Sequence, residues 1–402
     1  MQYKFSSLAQ NLKASEIREL LKYKNIPGMI SLGGGMPHPS SFPVSDIMEI
    51  TDDLLKREGR EILQYGTTEG YEMLRVELSK FLKDTENIDC TKDDIVLSAG
   101  SQQALYAISK IMVTPGEEVI TESPTYIGTI TAFLANGTVM RGVQMDEEGL
   151  ITELLEEKIK NMLSKGKPPK FIYVIPTFQN PSGRTLSLER RKHLLEIASR
   201  YQIPIIEDNP YGELRYSGQK LPSLKSMDTS GLVTYMGTFS KILTPGLRVG
   251  FTVAPREVVS KMNLLKQATN LATNTLAEAI AGEYLKRGLV KKNMPRVVQM
   301  YREKRDTMLA ALSENFGEDA TWSHPDGGMF LWLQLDSRIN TTKMLPRALE
   351  NKVAYVSGYS FYPDNPEYNT MRLNFTYADN DQIVTAIERL SKVVGQEAMM
   401  AK

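Results

Sequence analysis

Six short apolar runs recur through the middle of the chain, with polar or amphipathic stretches between them. They are Ile95-Val96-Leu97, Val119-Ile120, Phe171-Ile172-Tyr173-Val174-Ile175, Ile203-Pro204-Ile205-Ile206, Leu232-Val233-Thr234-Tyr235 and Val249-Gly250-Phe251-Thr252-Val253. None alternates apolar with polar residues. Strands built from such runs must be covered on both faces, as in a mostly parallel sheet with crossover helices packed on either side. After the first run, Leu105, Ile108 and Met112 fall on one face of a helix. The expected fold class is therefore α/β.

A different pattern begins near residue 290. Val298, Tyr301, Met308, Leu309 and Leu312 mark a long amphipathic helix over 295–315. Strand-like stretches follow at Gly328-Met329-Phe330-Leu331-Trp332-Leu333 and Met371-Arg372-Leu373-Asn374-Phe375. A last helix carries Ile383, Ile387, Leu390 and Val394. This reads as a smaller α+β unit, and 402 residues suit two domains. The Lys-rich segment 158–170 is expected to be a solvated loop. No internal repeat or low-complexity linker is visible.

Composition excludes several functions. The 48 basic residues balance 48 acidic ones, whereas a dedicated nucleic-acid binder needs a basic excess. Cys90 is the one cysteine, so no disulfide can form within the chain and a cysteine-based metal cluster is unsupported. His38, His193 and His324 show no metal-ligand spacing. No apolar run approaches the length of a membrane span, and the N-terminus lacks the apolar core of a signal peptide. These features predict a cytoplasmic protein with neither a nucleic-acid nor a membrane partner.

In an open parallel sheet, ligands bind beyond the carboxyl ends of the strands. Three polar clusters fall there. Ser98-Ala99-Gly100-Ser101-Gln102-Gln103 lies between a strand and a helix, where backbone N–H groups can meet an anion, although Ser101 taken alone reads as a helix cap. Phe178-Gln179-Asn180-Pro181-Ser182-Gly183 has turn chemistry. Glu207-Asp208-Asn209-Pro210-Tyr211 ends a buried run with an acid that needs a partner. A fourth stretch, Gly237-Thr238-Phe239-Ser240-Lys241-Ile242-Leu243-Thr244-Pro245-Gly246-Leu247-Arg248-Val249-Gly250, sets an amine beside hydroxyls and a guanidinium. A lysine so placed can hold an aldehyde as a Schiff base while Arg248 and the hydroxyls grip a phosphate.

The order and spacing of these clusters are more specific than any one of them. Asp208 follows Asn180 by 28 positions, Tyr211 follows Asp208 by 3, and Lys241 follows Asp208 by 33. With N-P-x-G, D-x-x-Y and S-K-x-x-x-P-G-L-R-x-G in this order, the chain resembles the fold-type I, pyridoxal-phosphate-dependent aminotransferases. More narrowly, it resembles the class I branch that contains 2-aminoadipate, kynurenine and aromatic aminotransferases. The likeness runs from Arg18 to Arg372.

The resemblance implies a mostly parallel seven-stranded sheet in a large domain over 46–290, a small domain over 291–402, and an N-terminal arm over 1–45. It implies pyridoxal 5'-phosphate as cofactor, bound as a Schiff base on Lys241, which would also shuttle the proton at the substrate Cα. Asp208 would pair with the ring nitrogen, Asn180 and Tyr211 with the ring oxygen, and Tyr126 would stack on the ring. Ser101, Gln102, Thr238, Ser240 and Arg248 would take the phosphate, with Tyr65 supplied by a neighbouring subunit of a homodimer. Arg372 would clamp the substrate α-carboxylate. Gly35 would lie near the substrate, and Arg18, on a helix predicted around 14–21, would either meet a distal carboxylate or remain a solvated charge.

The implied activity is a ping-pong transamination between an amino acid, 2-aminoadipate or aromatic, and a 2-oxo acid, foremost 2-oxoglutarate. A β-lyase or decarboxylase would use the same cofactor differently. A non-catalytic aminotransferase-like ligand sensor is a further alternative. Such sensors carry a DNA-binding module ahead of this region, and here the first helix is expected only a few residues from the start.

Overall fold

The computed structural model describes residues 3–11, 22, 26–318 and 320–400. Arg18 and the helix predicted around 14–21 lie outside the described residues.

The first strand, β1 (Ile30–Ser31), is two residues long. The main sheet follows, from β2 (Ile95–Ser98), β3 (Glu118–Ser123), β4 (Val139–Asp146), β5 (Gly149–Leu150), β6 (Ile172–Val174), β7 (Ile205–Asp208), β8 (Val233–Thr238) and β9 (Gly250–Val253). Their spatial order is β2-β9-β8-β7-β6-β3-β4-β5. Strands β4, β3, β6, β7 and β8 run parallel, whereas β9 is antiparallel to both its neighbours. The sheet has eight strands rather than seven. The extra one is β5, two residues long, folded back on the end of β4 in a hairpin too short to leave an alternation in the sequence.

Both faces are covered, as the apolar runs require. Tyr173, Ile206 and Met236 share one core with Leu105 and Ile108 of the helix Ser101–Met112, Phe133 of Ile127–Leu134 and Met262 of Arg256–Thr269. Their strand neighbours Ile172, Val174, Ile205 and Val233 face the other way, against Leu155 and Ile159 of Thr152–Ser164 and Leu194 and Ile197 of Leu188–Tyr201. Met112 itself is only part-buried. The Lys-rich segment is only half a loop. Residues 158–164 finish the helix Thr152–Ser164, because Ile159 and Met162 recur at helical spacing and are buried.

A second, antiparallel sheet has the order β10-β11-β14-β13, from β10 (Thr321–Trp322), β11 (Phe330–Gln334), β13 (Val356–Ser357) and β14 (Thr370–Asn374). Strand β12 (Val353–Ala354) pairs in parallel with β1 and so ties the N-terminal segment to this region. The helix Leu289–Asn315 buries Tyr301, Met308 and Leu312, and the helix Asn380–Met400 buries Ile383, Ile387 and Leu390. Among the described residues no helix is long and apolar enough to cross a membrane.

Candidate active site

Ser123, Val174, Asp208 and Thr238 are the last residues of four parallel strands, so the loops that follow converge at one edge of the sheet. A cavity of about 670 Å³ opens there. Of the residues singled out from the sequence, Gly35, Ser101, Gln102, Tyr126, Asn180, Asp208, Tyr211, Thr238, Ser240, Lys241, Arg248 and Arg372 all line it. Tyr65 does not: its residue is 87% exposed and belongs to no part of its own chain's cavity.

One end of the cavity is an anion cup. The helix Ser101–Met112 begins at Gly100, whose φ of +77° favours glycine. A Cβ there would lie 2.2 Å from Arg248 Nη2, so the lack of a side chain is what lets the guanidinium close over the helix N-terminus. Arg248 donates to Ser240 Oγ at 3.5 Å, Pro245 O at 3.3 Å and Ala99 O at 3.3 Å. Thr238 Oγ1 donates to Ser240 Oγ at 3.0 Å. The Gln102 amide donates to Gly128 O, which fixes its direction along the wall. Hydroxyls, a guanidinium and free helical N–H groups together suit a phosphate.

Lys241 follows Ser240 and donates to Gly35 O at 3.0 Å. Part of the residue is open to the cavity, but the amine is enclosed. Burial, together with the positive charges of Arg372 and Arg248, pushes its pKa down to about 8. A substantial neutral fraction near physiological pH makes it a usable nucleophile.

Asp208 is 2% exposed. Its Oδ2 accepts from the Tyr173 hydroxyl at 2.8 Å, while Oδ1 is buried without a partner in the protein. Burial raises its pKa to about 6, with the Tyr173 hydrogen bond opposing. The turn 179–183 delivers Asn180. Gly183 closes it at φ +71°, against Phe330 O, where a Cβ would come within 2.6 Å. Asn180 Nδ2 donates to Tyr211 Oη at 3.2 Å and its Oδ1 accepts from Arg372 Nη1 at 3.0 Å. Burial pushes the Tyr211 pKa upward.

Arg372, in the middle of β14, is 1% exposed. Its guanidinium lies 4.0 Å from the Phe330 ring centre and 5.0 Å from that of Phe361. Nη2 donates to Gly33 O at 2.8 Å and Nε is buried without a partner. Burial lowers its pKa to about 10, so it stays charged at neutral pH.

Sequence reasoning missed Tyr173, Phe330, Met36, Ile127 and Thr131. The last four line the cavity. Tyr173 lay in plain view as the one hydroxyl inside the most apolar run, and a hydroxyl there needs a partner.

These groups fit pyridoxal phosphate. An orphaned, buried carboxylate oxygen, an amine of lowered pKa and an anion cup occupy one cavity. Residues 27–390 match the family model for aminotransferase class I and II. The chain is 44% identical over 393 residues to aromatic-amino-acid aminotransferase 1 of Thermococcus litoralis, covering 98% of this chain and 94% of that relative. It is 36% identical to the 2-aminoadipate transaminase of Thermus thermophilus, covering 97% and 96%. Among solved structures, the Pyrococcus horikoshii kynurenine aminotransferase complexed with PMP, KYN and KYA superposes with a TM-score of 0.94 at 43% identity, covering 98% of this chain and 97% of that one. The chain belongs to the class I and II aminotransferase family. It is a pyridoxal-phosphate-dependent transaminase of the type I fold.

Proposed function

We propose that this transaminase moves the amino group of an aromatic amino acid to 2-oxoglutarate by a ping-pong cycle. The observation that carries the donor class is the rest of the cavity lining. Among the described residues, the cations that line it are Lys241, Arg248 and Arg372, each with a task, while Met36, Ile127 and Phe330 give the remaining wall an apolar and aromatic surface. An aromatic side chain suits that wall, whereas the distal carboxylate of a dicarboxylic substrate, 2-oxoglutarate included, calls for a further polar partner. A second reading, 2-aminoadipate as donor, is favoured by the relatedness to the Thermus enzyme and requires a further cation, for which Arg18 is the candidate.

When bound, pyridoxal phosphate supplies an aldehyde that condenses with amines and a ring that takes up the electron pair left at the substrate Cα. Lys241 holds the cofactor at rest. Once free, its Nζ would carry the proton between the substrate Cα and the cofactor's aldehyde carbon. Asp208 Oδ1 holds the ring nitrogen protonated. Asn180 and Tyr211 hold the ring oxygen, and Tyr126 covers the ring face. Ser101, Gln102, Thr238, Ser240 and Arg248 hold the phosphate. Arg372 orients the α-carboxylate of donor and acceptor alike, with Gly35 leaving room beside it.

We further propose a homodimer with shared sites, in which Tyr65 reaches the neighbour's phosphate. Tyr65 is turned away from its own cavity, and Val44, Met48, Leu55 and Leu63 are exposed at helical spacing just before it. The division into an arm over 1–45, a large domain over 46–290 and a small domain over 291–402 is supported by the separation of the eight-stranded from the four-stranded sheet. The lone Cys90 supports a reducing, cytoplasmic setting.

The decisive variant is Lys241→Ala, which should lose both the absorbance of the bound cofactor and turnover. Transamination at the normal rate by this variant would refute the mechanism. A donor panel with 2-oxoglutarate, run on wild type and Arg18→Ala, separates the two donor readings: selective loss of acidic donors supports 2-aminoadipate. Release of pyruvate or carbon dioxide instead of oxo-acid exchange would point to a lyase or decarboxylase.

A further inference from the structure

Strand β6 lies beside β7 with Tyr173 opposite Ile206, two residues before Asp208. Side chains two apart on a strand share a face, so the Tyr173 ring lies along the same side of the sheet as the Asp208 carboxylate. Tyr173 is fully buried and packs edge-on against Phe133 at 5.8 Å and 82°, which leaves its hydroxyl one direction in which to point. That hydroxyl meets Asp208 Oδ2 at 2.8 Å. The other oxygen, Oδ1, is left buried and unpartnered at the cavity.

We propose that Tyr173 is a positioning residue for the cofactor. By anchoring Oδ2, its hydroxyl fixes the rotation of the Asp208 carboxylate so that Oδ1 is presented to the ring nitrogen, and it stabilises the ionised carboxylate that keeps this nitrogen protonated. The proposal rests on the reading of Asp208 as the partner of the ring nitrogen.

The chemistry of the surroundings supports it. A carboxyl in an apolar site reverts to the neutral acid unless something hydrogen-bonds its charged form. Tyr173 is the one hydrogen-bonding partner that Asp208 has among the described side chains. The phenol stays neutral and donates to Asp208, because burial and the Asp208 charge both oppose its ionisation. No other titratable side chain among the described residues hydrogen-bonds the Asp208 carboxylate. Glu122 on β3 faces Asp208 from a fully enclosed position, its pKa raised to about 8 by burial, and Tyr211 offers Asp208 no hydrogen bond. Glu122 is itself held by Ile175 N and the Gln179 amide, both at 3.1 Å, and so is directed away from the role that Tyr173 performs.

The test uses holoenzyme reconstituted with pyridoxal phosphate labelled with ¹⁵N in the ring. The ¹⁵N shift of the ring is followed against pH, and cofactor affinity is measured on the apoprotein. Tyr173→Phe removes one oxygen atom. It should lower the pH at which the ring nitrogen loses its proton by about one unit and weaken cofactor binding about tenfold, as loss of a hydrogen bond to a charged group implies. Asp208→Asn should abolish the ring proton at neutral pH. A merely structural role for Tyr173 would lower the melting temperature without moving the ¹⁵N profile. An unchanged profile in Tyr173→Phe beside a shifted one in Asp208→Asn overturns the proposal and leaves the Asp208 reading standing. If neither variant shifts, both fall. Should Tyr173→Phe not fold, Tyr173→Met, which also lacks the hydroxyl, carries the same comparison.

Discussion

Arg372 is the residue whose replacement has the most calculable consequence. Its guanidinium has five N–H groups, and the protein engages one on Nη1 with Asn180 and one on Nη2 with Gly33. The Nε–H remains buried and unpartnered between the Phe330 and Phe361 rings. A substrate carboxylate would take two of the three remaining N–H groups in parallel hydrogen bonds. Each hydrogen bond to a charged group contributes about 1.5–3 kcal/mol. Arg372→Lys keeps the charge but loses the planar fork, so the variant should forfeit about 3 kcal/mol, roughly a hundredfold in substrate affinity. The α-carboxylate is present in ground state and transition state alike, so the loss should appear mainly in KM and leave kcat comparatively intact. It should also be shared by both half-reactions, because donor and acceptor carry the same group. Steady-state kinetics with each substrate varied in turn measures this. The control is the amine that has the donor's side chain but no carboxylate, whose weak reaction should be indifferent to the substitution. Unchanged KM values for both substrates, or an equal loss for the decarboxylated amine, would show that Arg372 does not bind the carboxylate.

Lys241 should cost the apoprotein stability in a pH-dependent way. Its folded pKa of about 8 lies below the ordinary 10.5, so between those values the unfolded chain binds more protons and stability rises with pH. Lys241→Met should therefore stabilise the apoprotein by on the order of 1 kcal/mol below pH 8, with the gain fading as pH approaches 10.5; a gain independent of pH in thermal melts would contradict the assignment. Gly100→Ala forces a Cβ to within 2.2 Å of Arg248 Nη2 at a φ of +77°. It should cost about 1–3 kcal/mol in denaturant melts and weaken cofactor capture, and unaltered capture would remove Arg248 as phosphate anchor. Mixing Lys241→Ala with Tyr65→Ala protein should restore activity through hybrid dimers with one intact site, up to about a quarter of all sites, whereas no recovery would refute the shared site.

The main sheet was legible because a strand buried on both faces leaves an uninterrupted apolar run, and all six runs contribute to strands. The loops that line the cavity were legible because turn residues and reactive residues coincide at strand ends, where Asn180 and Lys241 follow β6 and β8 and Asp208 ends β7. Elements of two residues were not: β5, β10 and β12 are too short for any periodicity to emerge. The Lys-rich segment misled because its charges drew attention from Ile159 and Met162, which bury one face of a helix. The cavity's apolar wall was also hidden, since Met36, Ile127 and Phe330 come from three segments that meet only through the fold. Tyr173 acquires its meaning from the register of β6 against β7, which single-strand patterns do not contain.

That register points to a property the separate motifs conceal. In the sequence, the groups for the cofactor ring and the group for the substrate carboxylate stand far apart, as Asn180 and Tyr211 against Arg372. In the structure, Asn180 bonds to both Tyr211 and Arg372, one through each side-chain polar atom. The preceding Gln179 is pinned just as firmly. Its amide donates to Glu122 and Pro124 O, and its oxygen accepts from the Ser182 N–H and hydroxyl. The turn that carries Asn180 is therefore held from beneath by buried groups and has little freedom to follow one partner without the other. Asn180 thus sets the positions of the Arg372 guanidinium and the Tyr211 hydroxyl together. Residues joined in one hydrogen-bond network do not contribute additively. The carboxylate clamp and the ring-oxygen pair should accordingly be treated as one unit, in which a substitution at Asn180 weakens substrate binding and cofactor tuning together.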